Sequence, residues 1–62
     1  MREEIIDMCL EAVRRTRFPD ATHESVRKNP AHAAAMVALL EDCRPLPVVR
    51  ALIEEFRAAS DE

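Results

Sequence analysis

The stretch Ala31–Leu40, AHAAAMVALL, carries a single polar side chain, His32, in ten residues. A helix that crosses a bilayer needs about 20 apolar residues, so this run is too short to span one. In a chain with charged segments on both sides, it predicts the buried central helix of a small bundle, around which the other segments pack.

The start of that helix is written in Asn29-Pro30. Asparagine is among the best N-capping residues, and proline is favoured at the first helical position, where its missing N–H costs nothing. The predicted helix runs over about 30–43. On a wheel of 100° per residue, Met36, Leu39, Leu40 and Cys43 share one side with His32 and Ala33. Ala31, Ala34, Ala35 and Ala38 lie opposite, with Glu41 and Asp42. One side is bulky and the other smooth. The smooth side either admits a second helix at close range or is exposed alanine that serves helix propensity.

Upstream, about 2–17 reads as a first amphipathic helix. Ile5, Ile6, Met8, Cys9, Leu10, Ala12 and Val13 occupy half of its wheel, while Glu3, Asp7, Glu11 and Arg14 fall on the other half. Acids in the first turn and Arg14, Arg15 and Arg17 in the last suit the helix dipole. Glu11 and Arg15 form an i,i+4 pair in the favourable order. Phe18-Pro19-Asp20 ends the helix, since proline disfavours helical geometry in the residue before it and Asp20 can cap the next helix. A short helix over about 21–28 has one sizeable apolar side chain, Val26. Downstream, Arg44-Pro45-Leu46-Pro47 predicts a turn. A last helix over about 47–59 carries Val49, Leu52, Ile53 and Phe56 at i, i+3, i+4 and i+7.

The expected fold is therefore all-α: a compact single-domain bundle of three main helices and a short connecting one. Composition agrees, for the 62 residues include no Gly, Trp or Tyr, which leaves little turn chemistry for β-hairpins. A chain of this size buries only about 60% of the surface it exposes when unfolded, so its own core is marginal and association with another chain is expected to help.

Site chemistry is sparse. Cys9, His23, His32 and Cys43 have the count of a structural zinc site but not its spacing, because no pair falls within the short intervals such sites use. Neither a metal nor a cofactor is expected. The cysteines, both on predicted apolar faces, read as free thiols packed like small hydrophobes. Without glycine there is no phosphate loop, dinucleotide fingerprint or nucleophile elbow, so the chain does not read as an enzyme or as a receptor for a small ligand. The acids of MREEIIDMCLEA stand where a secretion signal needs an apolar run, so a cytoplasmic location is expected.

Two function classes remain. The first is a protein–protein interaction module (an adaptor, regulator or inhibitor subunit) that pairs with itself or a larger protein. Its interface candidates are Ile6, Met8 and Leu10 at the edges of the wide first stripe, with Ala34, Ala35 and Ala38 on the smooth side. The second is a small DNA-binding regulator that sets Arg14, Arg15, Arg17, Arg27 and Lys28 on phosphates. Residues 14–28 do sum to +3, but the whole chain is at −3 and the basic segment has no stacking aromatic among its cations. That balance disfavours nucleic acid as the partner.

Overall fold

The computed structural model describes residues 2–43 and 46–60. Four helices succeed one another: α1 (Arg2–Thr16), α2 (Ser25–Lys28), α3 (Pro30–Glu41) and α4 (Pro47–Ser60). The fold is a small all-α bundle, and no strand occurs among the described residues. None of these helices is long and apolar enough to cross a membrane. The Arg44-Pro45 part of the expected last turn lies outside the described residues.

Helix α1 buries Ile6, Cys9, Leu10 and Val13, an i, i+3, i+4, i+7 stripe. At its end Thr16 Oγ1 donates to the Ala12 carbonyl at 2.7 Å, and the amides of Arg17 and Phe18 both bond Val13 O at 2.9 Å. The chain then leaves the helix at Pro19. Ala21 turns back into the core, and its carbonyl accepts from Arg14 Nε at 2.7 Å. An arginine from the last turn of α1 thus fastens the loop beyond it.

The connecting helix is shorter than the pattern 21–28 predicts, a single turn over Ser25–Lys28. Its entry is held by Thr22 and not by Asp20. Thr22 N donates to Ser25 Oγ at 2.8 Å and Ser25 N donates to Thr22 Oγ1 at 3.0 Å, a reciprocal capping arrangement. These side chains satisfy the backbone of residues 22–25 locally, so a further helical turn gains nothing. Val26, the one large apolar side chain here, is fully buried.

Asn29 caps α3 as its sequence implies, its Oδ1 accepting from the amides of Ala31 at 3.0 Å and His32 at 3.4 Å, with Pro30 at the first position. The helix stops at Glu41 instead of Cys43. Asp42 and Cys43 tighten into i→i−3 bonds to Leu39 and Leu40, a common way to finish a helix. Helix α3 packs against each of the other three, the central place that its apolar run demands. Helix α4 buries Val49, Leu52 and Phe56, with Ile53 half-buried beside them.

Charges tie the outside of the bundle. Glu55 on α4 accepts from Arg2 of α1 and from Arg27 of α2, and the Arg27 guanidinium also lies 5.1 Å from the centre of the Phe56 ring. Arg57 reaches Glu41 of α3 at 3.0 Å. The radius of gyration, 10.2 Å, is that of a tightly folded chain of this length.

Candidate interaction surface

The side-chain pattern on α1 is wider than the space its neighbours offer, and that excess creates the candidate surface. With Ile6, Leu10 and Val13 turned inward, Ile5, Met8 and Ala12 are left along the seam with α3. There they meet Leu39 and Cys43, and Cys9 forms the floor. The result is a shallow, almost wholly apolar groove of about 240 Å³. Leu39 also borders a second hollow of about 260 Å³, lined by Thr16, Arg17, Ala35, Ala38 and Asp42 among others. Leu39 lines both hollows: the first takes residues 5–12 of α1 with 39–43, and the second residues 13–17 with 35–42.

The interface residues expected from sequence divide on this surface. Met8 is 73% exposed, and Ala34 and Ala38 are also open to solvent. Ile6 and Leu10, each 1% exposed, and Ala35 are closed into the protein's own core and have no surface to offer a partner. The physical reason is rotation. The half of the α1 stripe centred on Ile6 and Leu10 faces the interior, so the half centred on Met8 faces out. Ile5, Ala12 and Leu39, absent from the expected interface, are members of the groove; Ile5 and Ala12 belong to the wide apolar half-wheel of α1, which was the available signal.

The cysteines separate as well. Cys9 is buried and Cys43 is exposed, so the expectation that both pack in the core holds for Cys9 alone. The last helical residue is Glu41, and the tightened turn carries Cys43 to the rim, where its thiol faces Leu39 O at 3.5 Å. Burial pushes the Cys9 thiol up to about 11, and the charge and hydrogen-bonding of neighbouring Cys43 act in the same direction. Two residues 34 positions apart in sequence therefore sense each other across the α1–α3 seam.

The basic residues do not converge. Arg14 is spent on Ala21 O and Glu11, Arg15 reaches Glu11 at 4.0 Å, Arg27 is paired with Glu55, and Lys28 lies 3.7 Å from Glu24. Arg17 borders the second hollow. His23 is at the surface, 3.1 Å from Asp7, and His32 is buried with its ring centroid 4.4 Å from that of Phe18. Among the described residues, no group of three or more His, Cys, Asp or Glu side chains gathers in a way that could hold a metal ion. No family model matches the chain, and no curated protein or solved structure matches it either.

Proposed function

We propose that the chain is a small protein–protein interaction module, an adaptor or regulatory subunit of the reducing cytoplasm, that pairs with a second copy of itself through the α1–α3 face. The observation that carries this reading is the apolar groove rimmed by Met8, a large apolar side chain left 73% exposed. Exposed apolar surface rimmed by charge is characteristic of docking surfaces.

A second copy suits the face because the charge along α1 is self-complementary. Glu4, Met8, Glu11 and Arg15 form one exposed row beside the groove. Two antiparallel copies of that row, related by a two-fold axis near its middle, set Glu4 of each against Arg15 of the other, and Met8 of each beside Glu11 of the other. Such pairing also fixes the register. A standard interface takes about 800 Å² from each partner. That is about a fifth of the 4169 Å² surface. The free thiols Cys9 and Cys43 fit a reducing compartment.

Sedimentation equilibrium across a concentration series tests the reading. The dimer mass is expected by about 100 µM, far above typical dissociation constants for specific pairs. The Met8→Asp variant is expected to sediment as a monomer with its helix content unchanged, and the melting temperature of the parent should rise with concentration. A monomer mass at the highest concentration, or a dimer indifferent to Met8→Asp, overturns it.

A further inference from the structure

Three of the six described residues that line the α1–α3 groove, Met8, Cys9 and Cys43, carry sulfur, and the other three are Ile5, Ala12 and Leu39. From this convergence we infer that the groove is a binding site for one soft monovalent metal ion, cuprous copper, held by the thiolates of Cys9 and Cys43 and the thioether of Met8. The donor set selects the ion. Thiolate and thioether are soft ligands that suit monovalent copper, whereas calcium, magnesium and manganese want oxygen. Zinc in a structural site wants four ligands, and no third His, Cys, Asp or Glu approaches the two cysteines among the described residues. A cuprous ion is content with two or three sulfurs. Its weak hydration also makes the apolar walls of Ile5, Ala12 and Leu39 a tolerable setting, where a strongly hydrated ion would lose its water without replacement.

The placement of the three donors supports entry from solvent. Cys43 and Met8 stand exposed at the groove's edge, and Cys9 lies beneath them, so an ion delivered to the rim can pass inward to the buried sulfur. The donors come from two helices, Met8 and Cys9 from α1 and Cys43 from the turn that ends α3, so the ion clamps the seam between them. Binding replaces two thiol protons with one cation, leaving a site of net charge −1 and releasing two protons to solvent. The site is complete within one chain and stands whether or not the face pairs with a second copy.

The test is an anaerobic titration of the reduced full chain with cuprous ion held by a coloured chelator, at several protein concentrations. One ion per chain should leave the chelator at protein concentrations low enough to keep the chain monomeric. Cys9→Ser and Cys43→Ser should each weaken binding at least about tenfold, and Met8→Leu, which keeps both thiols and the apolar bulk, should weaken it severalfold. Cys43 is exposed, so Cys43→Ser keeps the fold and stays informative even if Cys9→Ser does not. No uptake, uptake unchanged in Cys43→Ser, or equal uptake by the Met8→Leu variant overturns the three-sulfur site. Zinc bound as tightly as copper overturns the choice of ion.

Discussion

Ser25 Oγ lies 2.7 Å from His32 Nδ1 and joins the single turn of α2 to the first turns of α3. The same hydroxyl accepts from Thr22 N and reaches Thr22 O at 3.2 Å, so one oxygen serves both the loop entry and the buried imidazole. Phe18 packs against the ring, its centroid 4.4 Å away. The arrangement is a serine–histidine pair in composition, but its hydroxyl is committed to holding backbone. Ser25→Ala removes the capping bond and leaves a buried ring nitrogen without its partner, which should cost about 1–3 kcal/mol. Urea unfolding of the variant, with an unchanged slope and a lower midpoint, checks this.

Glu55 sets a pH dependence of known sign. Hydrogen bonds from Arg27 and then Arg2 hold its carboxyl below the ordinary carboxylate range, and slight burial opposes them weakly. A carboxyl whose folded value is depressed stabilises the fold above its unfolded value, about 4.3 for glutamate, and loses that contribution as pH falls through the folded value. Stability should therefore fall on acidification across that range. Glu55→Gln should reduce the fall. Because the side chain is about one-third exposed, raised salt should also diminish the effect. Denaturant midpoints at neutral and acid pH, for parent and variant, provide the measurement.

The two thiols should react at different rates. Cys43 is exposed, whereas Cys9 is buried and its thiol is raised to about 11 against an ordinary value near 8.5. A thiol reagent in slight excess should label Cys43 first, with Cys9 following only in denaturant. The raised value also means that the folded state favours the neutral thiol. That contribution is fully present below the unfolded value and is lost as pH climbs toward about 11, so alkaline conditions should loosen the α1–α3 seam. Mass spectrometry of labelled fragments over time would detect simultaneous labelling, the outcome that contradicts this ordering.

Replacing Leu10 tests the core rather than a surface. At 1% exposure, Leu10→Ala should cost about 2–5 kcal/mol, and Leu10→Asp should unfold the chain outright because its charge would be buried without a partner. A chain of this size has only about 3–5 kcal/mol to lose. Circular dichroism shows the difference at once: Met8→Asp keeps its helix signal and Leu10→Asp loses it.

The two arginines in the last turn of α1 are not equivalent. Arg14 reaches the carbonyl of buried Ala21 from a half-buried position, so Arg14→Gln should cost about 1–2 kcal/mol. Arg15 has only an exposed 4.0 Å pair with Glu11, and Arg15→Gln should stay within about 0.5 kcal/mol. Equal costs in thermal unfolding would contradict the anchoring role of Arg14.

Local signals mark where the helices lie and where several of them begin. Asn29-Pro30 caps α3, Pro47 opens α4, and the Val49, Leu52, Ile53, Phe56 spacing marks the buried side of α4, because capping, proline geometry and helical period all act over a few residues. Ahead of α2, Thr22 and Ser25 bond each other reciprocally, and Asp20 takes no part in those bonds. Which half of the broad α1 stripe is covered depends on packing between helices. A half-wheel of apolar residues is compatible with several rotations, and the positions of α3 and α4 select the one that buries Ile6 and Leu10 and leaves Met8 outside. The same packing brings Cys9 beside Cys43 and Glu55 between Arg2 and Arg27, partners separated by 34, 53 and 28 residues, distances over which no local rule operates.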